Sequence, residues 1–289
     1  MAEGVVFDLG YRPHEGERLG RKGAVSAVIR DGLRRVLGLR RKARRKVLPF
    51  VLLAIALLPA AFFVGVGVVA GEIVDPATVF GHPGYFDLTG PVALIFIALA
   101  ASELLIPDRS YGTLAIYASR PLRLTDYLAA RAAALALLVI GFLYLPHLVL
   151  LFGQAAVARE GFGSYLVDNL DVLWKAAAGS LVYFVAYASV AFLVAAIASR
   201  VPMAAGIFLG VVTISGPTTA ALTDSGLPLF SLGALQHHPG YVKDWIFGTS
   251  THNWIPERAG YEPALSLAVI AVLALAAALL LLRRYRRLA

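Results

Sequence analysis

Long uncharged apolar runs alternate with short polar segments along most of this chain. A membrane-spanning helix needs about 20 predominantly apolar residues to cross a hydrocarbon core about 30 Å thick. Six runs meet that requirement, and prolines or polar loops separate them. The pattern predicts an all-α integral membrane protein whose six spans cover about residues 47–71, 86–106, 127–152, 173–198, 202–222 and 264–282.

The composition supports this prediction. Of the 289 residues, 59% are hydrophobic and only 15% are charged, whereas soluble domains have about 45–50% apolar and about 25% charged residues. The chain contains no cysteine, which excludes disulfides and thiolate chemistry. Its many arginine, alanine and leucine residues are typical of a high-GC bacterium, so we expect a multi-pass protein of the bacterial plasma (inner) membrane.

The basic residues predict the orientation of the spans. If both termini are cytoplasmic, 22 of the 26 lysines and arginines lie on the cytoplasmic side, 13 of them in residues 1–46. This asymmetry is what the positive-inside rule requires, and it makes residues 223–263 a long extracytoplasmic loop. A net charge of +8 can also indicate nucleic-acid binding. Here the charge lies beside a span and has no aromatic platform, so the expected partners are membrane lipids and no nucleic acid.

The segment before the first span predicts an amphipathic helix over residues 24–46. Apolar residues recur there mainly at three- and four-residue spacing, with arginines on much of the remaining surface. Such a helix lies in the plane of the lipid headgroups; the alternative is a solvated helix packed on a soluble partner. Residues 1–23 are polar and glycine-rich, and we expect a cytoplasmic tail that is either loosely ordered or a docking strip.

The connection between the second and third spans, residues 107–126, is longer than a simple reconnection needs. We expect Pro107 to end the second span and Asp108 to cap a short helix that runs through Leu114. Thr125 or Asp126 would then cap the third span. An ordered helix at this place indicates that the loop contacts another molecule.

Here the sequence resembles a known family. The run from Ser102 to Arg131 contains Asp108-Arg109, Gly112-Thr113-Leu114, Ser119-Arg120-Pro121 and Tyr127-Leu128, and it is similar to the corresponding loop of permeases of type 2 ATP-binding-cassette exporters. The resemblance implies that this loop is a coupling helix that docks on an ATPase. It assigns ATPase coupling to Asp108, Arg109, Tyr111, Gly112, Thr113, Leu114 and Arg120.

The resemblance also implies the partners. They are two copies of a separate ATPase, which would hold ATP and Mg²⁺, and a second permease chain that is identical or homologous. The second and fifth spans would line the seam between the two permeases. This chain has no GxxxxGK[ST] phosphate-binding loop and no HExxH motif. We therefore expect a transport subunit that binds no cofactor or metal itself and is not an enzyme on its own.

Two charged residues near the loop have more than one interpretation. The family often carries a tight charged cluster before Gly-Thr-Leu, whereas here Glu103 stands five residues before Asp108. Glu103 is either functional, or it extends to the interface or pairs with Arg109 or Arg131. Arg131 lies one turn inside the third span, where it could extend back to the headgroups as an anchor. Both residues are assigned here to support of the loop.

The fifth span is rich in small and hydroxylated residues, which allow close helix packing and interhelical hydrogen bonds. The functional interpretation is a translocation seam between two permeases; the alternative is packing within the chain. The candidate seam residues are Gly206, Gly210, Thr213, Ser215, Pro217 and Thr218.

The outer loop contains His237, His238 and His252 with Asp244 nearby, but adjacent histidines rarely bind one metal, so no metal site is expected. Its tryptophans and tyrosines suit a membrane-interface belt or short re-entrant helices that cap the exit side.

Three function classes remain open. The first is the permease of an ATP-driven transporter, which would move a substrate, outward by resemblance and amphipathic or lipid-like by the character of the seam. The others are an ion-coupled transporter, against which the scarcity of mid-membrane charge argues, and a membrane-embedded enzyme.

Overall fold

The computed structural model describes residues 19–39, 44–70, 81–118, 121–249 and 253–287. Within these ranges every regular element is helical, and six helices are long and apolar enough to cross a membrane, which confirms the predicted fold class. Those six are α2, α3, α5, α7, α8 and α11 of the following series. The elements are α1 (Gly20–Val36), α2 (Arg44–Ala70), α3 (His82–Ser110), α4 (Leu114–Ala118), α5 (Leu124–Val157), α6 (Phe162–Asp168), α7 (Asp171–Ile197), α8 (Val201–Asp224), a 3₁₀ helix (Pro228–Gly233), α9 (His237–Phe247), α10 (Ile255–Arg258) and α11 (Pro263–Tyr285).

Helix α3 is the centre of the bundle. It packs against α2, α5, α7 and α8, and 72% of its most apolar stretch is buried, compared with 17% for α2 and 22% for α11. The main core is built from aromatic and small residues of α3, α5 and α7. The outer faces of α2 and α11 remain exposed and apolar, as lipid-facing surfaces are.

Helix α1 ends earlier than the sequence predicted. The amphipathic helix was expected to continue to residue 46, but it stops at Val36, and residues 40–43 lie outside the described ranges. Gly38 has a φ of +63°, and the amide of Leu39 donates to the carbonyl of Arg34 at 2.8 Å. This is a Schellman ending, in which glycine adopts the left-handed conformation that closes a helix.

The prediction that Pro107 ends the second span was wrong. Helix α3 continues through Pro107 to Ser110, and the amide of Tyr111 donates to the Pro107 carbonyl at 2.9 Å. Proline removes one backbone hydrogen bond, and one further turn is compatible with that loss near a helix end. Asp108 therefore lies inside α3 and does not cap the short helix.

The long segment after α8 is folded back on the bundle. Its 3₁₀ helix packs on α8, and α9 packs on both α7 and α11. Helix α9 ends at Gly248, which has a φ of +73°. The described part of this segment thus contains short helices.

Candidate functional site

The connection between α3 and α5 consists of the turn Tyr111–Thr113 followed by the short helix α4. Gly112 has a φ of +67°, which favours glycine at this position. The hydroxyl of Thr113 donates to the Asp108 carbonyl at 3.1 Å, which holds the turn against the last turn of α3. The start of α5 is held by Asp126, the third residue of the helix, whose carboxylate reaches back and accepts the Arg123 amide at 2.9 Å. The N-cap is therefore Arg123, and the prediction that Thr125 or Asp126 caps this span was wrong.

Asp108 is the centre of a buried ion network. Its Oδ2 accepts from Arg131 Nη2 at 2.6 Å and from the Tyr127 hydroxyl at 2.8 Å. Its Oδ1 accepts from Arg35 Nη1 at 2.7 Å. These contacts join α3 to α5 and to α1. A carboxylate with several charge-assisted donors can be buried without the full desolvation penalty.

Arg131 does not extend to the interface as the sequence suggested. Its side chain is 0% exposed and lies between the three helices. The guanidinium donates to Asp31 Oδ2 at 3.0 Å and to the carbonyl of Val28 at 3.3 Å, both on α1. It also donates to the Tyr117 hydroxyl of α4 at 3.1 Å. Arg131 therefore connects α1, α3, α4 and α5, since two carboxylates and a hydroxyl surround its charge.

Helix α1 docks on the bundle through the same network. Arg35 bridges Asp31 at 2.9 Å and Asp108 at 2.7 Å. Burial alone would lower the pKa of Arg35, but the Asp108 carboxylate raises it above its ordinary value, so the residue stays charged. Gly32 allows the close approach, because a methyl group there would lie 2.9 Å from Ala134 Cβ.

Arg109, the neighbour of Asp108, points to a different helix. Its guanidinium donates to the carbonyls of Ala195, Ala196 and Ala198 at the C-terminal end of α7. Arg284 of α11 also donates to the Ala196 carbonyl, at 2.6 Å. The last carbonyls of a helix lack intrahelical partners, and cations near them are favourable. Arg109 therefore fastens α3 to α7.

The surface of the loop is formed by other residues. Tyr111 is 81% exposed and Ile116 is 58% exposed, whereas Leu114 and Tyr117 pack against the core. Burial raises the pKa of the Tyr117 hydroxyl, which keeps it protonated beside Arg131. Arg120 lies outside the described residues. The exposed side chains of Tyr111 and Ile116 therefore lie on an element whose other residues are fixed to the core.

Glu103 does not join this network. Its expected partners Arg109 and Arg131 are engaged elsewhere, and Glu103 lines a cavity of about 340 Å³ between α1, α2 and α3. Arg35 lines the same cavity.

The candidate seam on α8 faces outward. Gly206, Thr213, Pro217 and Thr218 are exposed, and Gly210 and Ser215 are half-buried. A methyl group added at Gly206 or Gly210 would meet nothing within 4 Å. These glycines therefore do not mediate close packing within the described chain. The hydroxyls of Thr213 and Ser215 donate to carbonyls of their own helix, at 2.7 Å each.

A second buried polar group, which the sequence pattern does not indicate, lies at the opposite end of α3. Lys243 of α9 is 0% exposed and contacts Asp87 at 3.0 Å and Asp244 at 2.7 Å. Its ammonium also donates to the Pro83 carbonyl at 3.1 Å. The indole nitrogen of Trp254 donates to Asp244 at 2.5 Å. A single lysine in an outer loop gives no sequence signal for this arrangement.

Two histidines are buried between α3 and α5 near the same end. Nδ1 of His82 and Nδ1 of His147 lie 3.2 Å apart, within hydrogen-bond distance when one of the two carries the proton. His238 is also engaged, by the Ser266 hydroxyl at 2.9 Å and the Leu232 carbonyl at 3.0 Å. His252 lies outside the described residues.

In comparisons with known proteins, the sequence matches no protein-family model and has no significant match among curated proteins.

Proposed function

We propose that this chain is the membrane-spanning subunit of an ATP-driven exporter and works with a separate ATPase that docks on the loop between α3 and α5. The supporting observation is that exposed residues of the loop lie above buried polar contacts that fix the loop to the bundle. Tyr111 and Ile116 face outward, while the residues beneath them connect the loop to three other helices through Asp108, Arg131 and Arg109. A displacement of such a loop would therefore move the helices that it contacts, and would not be absorbed by deformation of the loop.

The buried contacts beneath the loop also change the roles proposed for the motif residues. Asp108, Arg109 and Thr113 hold the loop in place, since their polar atoms are engaged within the chain. Tyr111 and Ile116 would make the contact with the ATPase, with Gly112 shaping the turn between them. The ATPase would supply ATP and Mg²⁺ chemistry, in two copies for two permease chains.

The outward face of α8 supports a paired permease. Small and hydroxylated residues at Gly206, Gly210 and Thr213 lie open on one side of the helix. Small residues on an exposed membrane helix allow the backbone of a second helix to approach. We place the second permease there, with an amphipathic or lipid-like substrate passing along the seam.

The docking surface can be tested by co-expressing the chain with candidate P-loop ATPases from the same genome and purifying the complex that forms. Tyr111→Ala and Ile116→Asp should each reduce recovery of the ATPase, because exposed anchors of this kind contribute about 2 kcal/mol, or about 30-fold in Kd. Leu229→Asp is the matched control, since Leu229 is 71% exposed but lies in the 3₁₀ helix, away from the loop. Equal recovery with all three variants, in a complex that does form, would contradict the assignment.

One observation favours a second candidate, proton-coupled transport. His82 and His147 are buried within spans, and the Nε2 atom of His147 has no partner in the described structure. Buried titratable residues in spans mark ion pathways by default. His147→Gln would abolish uptake driven by a proton gradient if this candidate is correct, and would leave ATP-driven transport active if it is not.

A further inference from the structure

An apolar groove runs along the bundle between α5 and α11. Its volume is about 410 Å³, and its floor is formed by α7 and by Leu105 of α3. Helices α5 and α11 scarcely touch each other, although both pack on α7. Small side chains on the walls and the floor leave this space unfilled: Ala129, Ala132, Ala188, Ala274, Ala277 and Ala278.

The length of the groove corresponds to one leaflet of a bilayer. Along α11 its lining extends from Ala274 to Leu282, which is about 12 Å at 1.5 Å per residue. Half of a hydrocarbon core is about 15 Å. On α5 the lining begins at Thr125, the second residue of that helix. The groove therefore starts at the end of the bundle where α5 begins and α11 ends, and it reaches about to the midplane.

Basic residues surround this end of the groove. Arg123 immediately precedes α5, and Arg286 follows the last lining residue of α11 by about one turn; both are exposed. Arg283 and Arg287 line a different cavity, between α7 and α11. The nearest acid, Asp126, is neutralised by Arg21, whose guanidinium donates to both carboxylate oxygens at 2.6 and 2.8 Å. The mouth thus carries an excess of positive charge.

We infer that this groove binds an anionic phospholipid, with one acyl chain lying between α5 and α11 and the phosphate held by Arg123 and Arg286. The chemistry of the two parts matches such a ligand. The groove presents only the Thr125 and Ser189 hydroxyls among its lining side chains, so an apolar chain fits it. Guanidinium groups at the mouth recognise phosphate through charge-assisted hydrogen bonds. The volume of the groove, about 410 Å³, lies at the lower end of the range for small-molecule pockets, as expected for a single acyl chain.

This lipid is distinct from the substrate of the proposed exporter and does not depend on that function. The groove is bordered by α5, α7 and α11, whereas the proposed seam lies on α8. A lipid bound there would fill the gap between α11 and α5, and would add to the packing that α7 and α9 give α11.

Photocrosslinking of the purified full chain in phosphatidylcholine nanodiscs tests the site. The probe is phosphatidylglycerol with a diazirine in its acyl chain, compared with the same probe bearing a phosphatidylcholine headgroup. We expect phosphatidylglycerol to label residues 125–132 and 274–282 several-fold more than phosphatidylcholine does. Equal labelling by both headgroups would overturn the proposal.

Two kinds of variant locate the two halves of the ligand. Ala129→Leu with Ala278→Leu fills the groove and should abolish the preferential labelling, while Ala276→Leu, on the opposite exposed face of α11, should leave it unchanged. Arg123→Gln with Arg286→Gln alters only exposed residues, and it should lower phosphatidylglycerol labelling to the phosphatidylcholine level. Preferential labelling that survives in both double variants would show lipid bound elsewhere on the surface and would refute the site.

Discussion

Replacing Arg131 by methionine should strongly destabilise the protein. The substitution roughly keeps the volume of the side chain but removes a charge that is 0% exposed and donates to Asp108 at 2.6 and 3.1 Å. Removing one partner of a buried ion pair costs about 3–5 kcal/mol, because the remaining charge is left uncompensated. Arg35 still contacts Asp108 at 2.7 Å, so we expect a loss near the lower end, about 3 kcal/mol.

A double-mutant cycle distinguishes this explanation from simple loss of packing. The network contains two carboxylates, Asp31 and Asp108, and two guanidiniums, Arg35 and Arg131. Arg131→Met leaves it with a net negative charge and Asp108→Asn with a net positive one, whereas the double variant is balanced again. Residues in direct contact typically couple by 0.5–3 kcal/mol, so the double variant should lose about 2 kcal/mol less than the sum of the single losses.

The free energy of unfolding would be measured for the four proteins by denaturation in mixed micelles. The position of α1 can be followed in the same samples. The chain has no cysteine, so a label at Ser26→Cys, on the exposed side of α1, reports only that helix. We expect greater label mobility in Arg131→Met and partial recovery in the double variant. Additive losses with an unchanged α1 would refute the assignment of Asp108 and Arg131 as a coupled pair.

Three further predictions address other parts of the structure. Gly32→Ala should cost about 1–3 kcal/mol and loosen α1, because its methyl group would lie 2.9 Å from both Ala134 and Leu104; unchanged stability would contradict the close packing. Gly206→Leu should leave the fold of one chain intact, since nothing lies within 4 Å, yet reduce the dimer fraction in crosslinking; an unchanged fraction would remove α8 as the seam. Burial lowers the pKa of His237 to about 4 from 6.5; the unfolded chain therefore binds the proton first, and stability, complete above about pH 6.5, should fall as the pH drops towards 4. His237→Gln should flatten that part of the stability profile, and an identical profile would contradict the assignment.

The six spans could be predicted from the sequence because each is a local property. Twenty apolar residues in a row have no stable alternative to a helix in lipid, whatever the other helices do. The extra turn after Pro107 could not be predicted, since it depends on contacts across the bundle. Asp108 meets Arg35 across 73 residues of sequence and Arg131 across 23. No spacing rule of one helix relates positions so far apart.

The polar contacts were harder to predict than the helices, because their partners are distant in the sequence. Arg109 belongs to a motif that indicated an external partner, but the helix end that it contacts lies 86 to 89 residues later in the chain. In the sequence, Lys243 is indistinguishable from an exposed loop lysine. In the structure, α9 packs on the bundle and brings Lys243 into contact with Asp87. A charge of this kind has two possible environments, solvent or a buried partner, and only the tertiary structure distinguishes them.

The ionic groups at Asp87 and Asp108 lie near the two ends of α3, where a membrane would restrict movement of the helix along its axis. Asp87 and Asp108 are 21 residues apart, or about 32 Å along a helix, close to the thickness of the hydrocarbon core. Between them α3 carries one further charge, Glu103, near the same end as Asp108. Sliding α3 along its axis would move one ionic group into the hydrocarbon, where charge is costly. Under the proposed function, a motion imposed at the loop would therefore reach α9 through tilt or rotation of α3, by way of the Asp87–Lys243 contact.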